Sequence, residues 1–189
     1  MAEELKDSNY NYNSGYSWFI WAGNWGAFKF TAGSSYEIGD VSIMIQPEGA
    51  TGAITMKLRA DNGGVPGSLL ATAVLSGGAP GGMNWNKFSF DPGSRLSAVS
   101  GTTYWICVKP ANSVWLIIGG PGASVGDYYS ADETSWSYSY WGSGCYEIYT
   151  DAAAGWANIA KGGGVASADM AKFLGIAVAD CAKISGASV

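Results

Sequence analysis

Four carboxylates stand among aromatic residues in one stretch of the chain. Asp127, Asp132, Glu133 and Glu147 are interleaved with Tyr128, Tyr129, Trp136, Tyr138, Tyr140 and Trp141. Two carboxylates flanking a sugar bond are all that glycoside hydrolysis needs. Aromatic rings set among Ser, Asp and Gly suit a loop that stacks on sugars or meets a partner protein. The alternative for the rings is the core of a second sheet together with a subunit interface. For the acids the solvated surface of a strand is the preferred reading, so no catalytic residue is assigned and the chain is expected to be non-enzymatic.

The other common constellations are excluded by residue type. There is no histidine, which removes Ser-His-Asp and Cys-His nucleophiles and every imidazole metal site. Cys107, Cys145 and Cys181 are odd in number and lack metal-ligand spacing, and Cys107 reads as a buried thiol in a strand. Asp61 and Asn62 have the chemistry of Ca²⁺ ligands. They also open the run Asp61-Asn62-Gly63-Gly64-Val65-Pro66-Gly67, and a turn is the preferred reading. Lys161 precedes Gly162-Gly163-Gly164 instead of following it, so no phosphate loop is present. No metal and no cofactor are expected.

Ten basic against fifteen acidic residues give a net charge of -5, and the basic residues are scattered. That argues against a nucleic-acid partner, which needs clustered Lys and Arg. No apolar run approaches the ~18 residues of a membrane span, and the acidic start Met1-Ala-Glu-Glu-Leu-Lys-Asp7 is not a secretory signal. The 28 glycines, 48% apolar residues and 13% charged residues point to β-structure with many turns. Nine tryptophans and eleven tyrosines exceed what a core of this size needs, which places some of them on a surface or in an interface.

The elements that must position these residues follow from alternation. In 40–46, Val41, Ile43 and Ile45 point one way and Ser42, Met44 and Gln46 the other. In 54–61, Ile54, Met56, Leu58 and Ala60 face in, and Thr55, Lys57, Arg59 and Asp61 face out. In 102–109, Tyr104, Ile106 and Val108 alternate against Trp105, Cys107 and Lys109. Further strands are expected at 69–75, at 84–90 with Phe88 and Phe90 facing the core, at 113–118 and at 145–149. The aromatic run 16–30 suggests two short strands and a turn. With no helical period before Ala152, the fold class is all-β: an antiparallel jelly-roll-like β-sandwich. The domains expected are an N-terminal arm at 1–15, the sandwich at 16–152 and a C-terminal segment at 153–189.

Three runs carry a resemblance: Leu58-Arg-Ala-Asp-Asn-Gly-Gly-Val-Pro-Gly-Ser-Leu-Leu-Ala71, Phe88-Ser-Phe90, and Leu96-Ser-Ala-Val-Ser-Gly-Thr-Thr-Tyr-Trp-Ile-Cys-Val108. Over about residues 30–150 the chain resembles the choice-of-anchor β-sandwich modules of bacterial surface and phage proteins, which are carbohydrate-binding-like. The resemblance implies a fold and a setting more than an activity. Here Val99-Ser100 makes the turn before Gly101 one residue longer than that pattern expects.

The last 33 residues repeat in steps of eleven. Asn158, Asp169 and Asp180 share one phase, Ala160, Ala171 and Ala182 a second, Lys161, Lys172 and Lys183 a third, and Gly164, Gly175 and Gly186 a fourth. An acid able to cap a helix and a glycine able to end it frame about one and a half turns. A glycine in every unit argues against one long helix, at ~1 kcal/mol each. Short helical repeats are therefore expected, with a disordered tail as the alternative. The pattern, with Ile-Ala-Lys, Gly-Val-Ala and Ala-Asp-Met-Ala-Lys, resembles the C-terminal ends of tailed-phage virion proteins. The resemblance implies docking or oligomerisation, with Ile159, Lys161, Asp169, Met170, Lys172, Phe173, Asp180 and Lys183 as assembly residues.

A sugar-facing composition without an export signal fits a protein made in the host cytoplasm and released by lysis. The reading is a virion structural protein of a tailed phage, on capsid, tail or fibre, whose partners are other virion proteins and itself, for instance as a trimer. The alternative is an adhesion module that binds host surface glycans.

Overall fold

The computed structural model describes residues 3–10, 12–50, 52–119, 127–139 and 144–151, with 12–17, 116–119, 127 and 139 described by backbone alone. The fourteen strands are β1 (Glu3–Asn9), β2 (Tyr12–Ile20), β3 (Trp25–Thr31), β4 (Tyr36–Glu37), β5 (Asp40–Pro47), β6 (Ile54–Asp61), β7 (Pro66–Leu75), β8 (Asn84–Ser89), β9 (Ser97–Ala98), β10 (Thr103–Pro110), β11 (Val114–Gly119), β12 (Asp127–Ser130), β13 (Ser137–Ser139) and β14 (Tyr146–Asp151). Residues Ala2–Asp151 form one compact unit. The expected tail repeats, and with them every assembly residue named above, lie outside the described residues.

Two six-stranded antiparallel sheets pack as a sandwich. One runs β13-β12-β3-β10-β6-β7. The other is built around β5, and its two edges are used differently. Along one edge β8 pairs from Asp40↔Ser89 to Ile45↔Asn84. The opposite edge is shared by β14, from Tyr149↔Asp40 to Tyr146↔Ile43, and by β11, from Leu116↔Ile45 to Val114↔Pro47. β14 and β11 thus lie end to end beside one strand. β4 and β9 form a small separate ladder. Apart from the β6–β7 and β12–β13 hairpins, successive strands of the two main sheets mostly alternate between sheets.

The N-terminal segment that the sequence suggests as an arm carries two strands. β1 pairs with β14 from Glu3↔Asp151 to Asn9↔Tyr146, and β2 pairs with β11 from Tyr12↔Gly119 to Ile20↔Val114. β1 and β2 therefore run along the outside of the two half-length strands, β1 beside β14 and β2 beside β11. The segment reads as an arm because it is polar, yet an edge strand with a solvated outer side is also polar.

One register shift in this segment has a purpose. Between Leu5 and Asp7 the ladder slips by a residue, so Asp7 comes opposite Ile148, which faces the core. This bulge turns the Asp7 carboxylate inward. There it accepts hydrogen bonds from the Tyr36 hydroxyl and from the Gly33 N–H at 3.2 Å. Burial, followed by the bond to Asp7, drives the Tyr36 hydroxyl far above its ordinary pKa.

The predicted alternation holds in the three best strands. Val41, Ile43 and Ile45, Ile54, Met56 and Leu58, and Tyr104, Ile106 and Val108 all enter the core between the sheets, with Phe28, Phe30, Phe88, Phe90 and Ile148. Burying side chains of this size supplies about 1.5–3 kcal/mol each. Trp18 and Ile20 approach so closely over Gly26 that a Cβ there would collide with both. A larger residue at this point would force the Ile20 and Trp18 side chains to shift.

Candidate functional site

Two surfaces gather the residues with chemical potential, one on the outer side of each sheet. The outer side of the β10 sheet is covered. Trp105 and Cys107 sit at out-facing positions of β10, yet both are fully buried, with Trp25 and Ala27 beside them on β3. What covers them is β12 together with the segment that follows it. Tyr128, held opposite Ala27 by the β12–β3 ladder, and Trp136 pack on this second cluster. The Tyr128 ring meets Trp105 edge-on at 5.4 Å and Tyr138 at 5.5 Å. Burial pushes the Cys107 thiol far above its ordinary pKa, which keeps it protonated and unreactive.

Glu133 locks this cover down. Lys57 donates to both of its carboxylate oxygens at 2.7 Å, and Arg59 Nη2 donates to Oε2. Arg59 also donates through Nη1 to the Gly67 carbonyl at 2.7 Å, and the Lys57 ammonium lies 4.7 Å over the Trp25 ring. Burial alone would raise the Glu133 carboxyl, but the hydrogen bonds and charges of Lys57 and Arg59 outweigh it and hold the group below its ordinary value. The pair sits between water and interior, with Lys57, Arg59 and Glu133 side chains 20, 12 and 23% exposed.

Glu133 is also the one described non-glycine residue with positive φ, at 67°, a conformation costing roughly 1–2 kcal/mol for an L-residue. Local bonds hold it there. The Ser130 hydroxyl oxygen accepts from the N–H groups of Asp132 at 3.2 Å and Glu133 at 2.9 Å. Asp132 Oδ1 in turn accepts from Thr134 and Ser135 N–H, both at 2.8 Å. The Ser135 and Thr134 bonds hold the exposed Asp132 carboxyl well below the usual carboxylate range. Trp136 Nε1 and Arg59 Nε are buried without a partner among the described residues.

Of the carboxylates singled out in the sequence, Asp132 and Glu133 are neighbours and Glu147 stands apart from them. Glu147 is out-facing on β14 in the other sheet, where it accepts from Tyr10 Oη at 2.8 Å and Tyr149 Oη at 2.7 Å. Glu133 and Glu147 occupy opposite outer faces of a sandwich whose sheets alone lie ~10 Å apart. That exceeds the ~5–9.5 Å over which two carboxylates share a glycosidic bond. Asp61 takes the turn role. Its Oδ1 accepts from Trp105 Nε1 at 2.8 Å and its Oδ2 from Gly64 N–H at 3.2 Å. No group of three or more Cys, Asp and Glu with metal-holding geometry occurs among the described residues. No helix among them is long and apolar enough to cross a membrane.

Of the six aromatic residues proposed for a binding loop, Tyr128 and Trp136 serve as cover, and Tyr138 lies on the same side with half its surface exposed. Tyr129 alternates to the opposite side, also half exposed. Tyr140 and Trp141 lie outside the described residues. The burial of Trp105 and Cys107 had a signal in the sequence. Two apolar residues occupy out-facing positions of a strand beside Lys57 and Arg59, a pair of cations in want of an acid.

The outer side of the β5 sheet is the more open aromatic surface, and composition alone did not reveal it. Phe19 and Trp115 face each other across the β2–β11 ladder, with ring centroids 4.6 Å apart. Trp21, 66% exposed, stands edge-on to Phe19 at 4.7 Å. Towards the β8 side, Tyr10 and Trp85 meet edge-on at 6.1 Å and both are exposed. Gln46, exposed, lies opposite Trp115, and Met44 opposite Trp85. No family model matches the chain, and no curated protein matches it.

Proposed function

We propose that this protein is a non-enzymatic virion structural protein of a tailed phage, a capsid-decoration or tail-fibre surface protein that displays its sandwich and is attached or oligomerised through its C-terminal repeats. The observation that carries the reading is the threefold eleven-residue repeat that follows the sandwich, with Asp or Asn, Ala, Lys and Gly each in fixed phase. Repeats so short bury little by themselves and depend on a neighbour. The sandwich supports a display role, because Glu133 with Lys57 and Arg59, Arg95 with Asp151, and Asp7 with Tyr36 are engaged in holding segments of the fold together. A jelly-roll topology is supported by the way successive strands alternate between the two sheets. In the tail, short capped helices fit the repeat better than one long helix, for the glycine reason given above.

Deleting Asn158–Val189 is expected to leave the sandwich folded, with its near-ultraviolet dichroism unchanged, while lowering incorporation into particles at least tenfold. Truncated protein recovered on particles at the full-length level overturns the assignment.

The outer side of the β5 sheet favours a second reading, adhesion to host glycans. Exposed rings at Trp21, Trp85 and Tyr10, with Gln46 between the two groups, offer apolar planes beside a planar hydrogen-bonding side chain, the combination that takes up a sugar's C–H face and hydroxyls. On a glycan panel, Trp21→Ala with Trp85→Ala should weaken binding at least tenfold. Unchanged binding by the double variant, or no binding by the parent, rejects this face as a glycan site.

A further inference from the structure

The outermost strand of the larger-hairpin side, β7, is built unlike the other sheet edges. It is ten residues long, Pro-Gly-Ser-Leu-Leu-Ala-Thr-Ala-Val-Leu, and carries no charge. It pairs only with β6 among the described residues. Leu69, Leu70 and Val74 are 51, 37 and 56% exposed. A long, uncharged, apolar edge offers a row of backbone donors and acceptors to another strand, and monomeric proteins avoid it.

The remaining edges show how this chain blunts an edge where one must stay single. β1 carries Glu3, Glu4, Lys6 and Asp7 together with a bulge. β8 has an exposed Lys87, and β13 is three residues long. β2 includes Asn13, Ser14, Gly15 and Ser17 and pairs through an irregular register. In β7 the register shifts twice, on either side of Arg59, so the irregular part is confined to 66–70, and 71–75 pairs regularly with 54–58.

The pattern within β7 also says what would pair with it. Leu70-Ala71-Thr72-Ala73-Val74 reads nearly the same in both directions about Thr72. An antiparallel partner of the same sequence centred there brings Leu70 opposite Val74 and Ala71 opposite Ala73 on both sides of a two-fold axis. Large aliphatic residues then meet on the exposed side, and alanines meet on the side facing the core, where Ala71 and Ala73 are already buried. Such cross-strand pairs are the unit of sheet stabilisation, and the arrangement is self-complementary as a two-fold interface requires. The nearest charges on β6, Lys57 and Arg59, share the Glu133 carboxylate, which offsets one of the two positive charges that each copy brings to the seam.

We propose that β7 is a self-association edge: two copies of this chain pair β7 with β7 antiparallel about Thr72, joining two six-stranded sheets into one of twelve. This contact is independent of the C-terminal repeats and would operate alongside them.

The test uses the full-length chain with Cys181→Ser, so that no thiol in the tail competes. Thr72→Cys places two thiols face to face across the axis, within the ~4.4–6.8 Å between Cα atoms that a disulfide accepts. With an added copper–phenanthroline oxidant it should cross-link to a dimer at least tenfold faster than Val99→Cys, an equally accessible control on an exposed turn. Adding Val74→Lys should bring the Thr72→Cys rate down to that of the control while the dichroism spectrum stays unchanged. Equal rates for Thr72→Cys and Val99→Cys, or a Thr72→Cys rate that Val74→Lys leaves intact, overturn the proposal.

Discussion

Glu133→Ala is expected to lower the stability of the sandwich by about 3 kcal/mol, at the low end for breaking a buried ion pair from one side because the three side chains keep some contact with water. On a unit of this size that is a fall in midpoint of roughly 6–12 °C. The loss comes less from the missing attraction than from what is left behind. Arg59, whose Nε already lacks a partner, and Lys57 would face the Trp25 and Trp105 cluster with no counter-charge. Glu133→Gly separates this electrostatic part from backbone strain. It loses the same carboxylate but relieves the positive φ, so it should be more stable than Glu133→Ala by about 1 kcal/mol. Equal stabilities for the two variants would mean that the φ of 67° carries no strain.

The pH dependence has a definite sign. Glu133 is held below its ordinary value in the folded protein, so its contribution is complete above about pH 4.3, the ordinary pKa of glutamate. That contribution is lost as the pH falls through the folded-state value. Wild type and Glu133→Ala should therefore differ most near neutrality and converge in acid, measured by urea unfolding at pH 7 and pH 3. A gap that persists undiminished at pH 3 would show that the ion pair is not its source.

Deleting residues 1–10 is expected to be more damaging still, by on the order of 4 kcal/mol or more, although the segment looks dispensable. It removes the whole β1–β14 ladder of six paired positions. The Asn9 side-chain bond to the Gly144 carbonyl at 3.1 Å goes with it, as does the bridge between Glu3 and Lys87. Most costly is the half-buried Tyr36 hydroxyl, which loses its acceptor; an orphaned polar group of this kind costs about 1–3 kcal/mol. Asp7→Ala isolates that part and should account for about a third to a half of the total. A truncated protein that melts with the intact one would show that the ladder contributes nothing to stability.

How much of this was legible in advance follows from burial on one side versus two. β5, β6 and β10 could be read residue by residue because one face of each meets the core, and a period of two leaves no freedom of register. β1 could not, since a polar edge strand and a solvated arm have the same composition. The outer side of the β10 sheet left two readings open for a related reason. Tyr128 and Trp136, set among Ser and Asp, have the composition of a ligand-stacking loop, yet in the fold they shield Trp105 and Cys107. Composition records that aromatic rings need a partner, but not whether the partner is a sugar or the protein's own sheet. The aromatic surface on the β5 sheet was hidden because its rings come from distant positions, Phe19 and Trp21 near the start, Trp85 in the middle and Trp115 later, and only strand pairing assembles them.

The junction at which β14 and β11 lie end to end has a further consequence, in the order of events during folding. Among the described strands, β1 and β2, which flank them, come first in the chain, and β14, the partner of β1, comes last. Asn9 must find Gly144 across 135 positions of chain. Closing so long a loop is entropically costly and is rewarded only once both ends are in place, and sheets dominated by such contacts fold slowly. β1 therefore waits, unpaired, until β14 has emerged, whereas the partner of β2 is available earlier. The β1–β14 ladder is thus expected to form late, and until then that half of the edge beside β5 remains open.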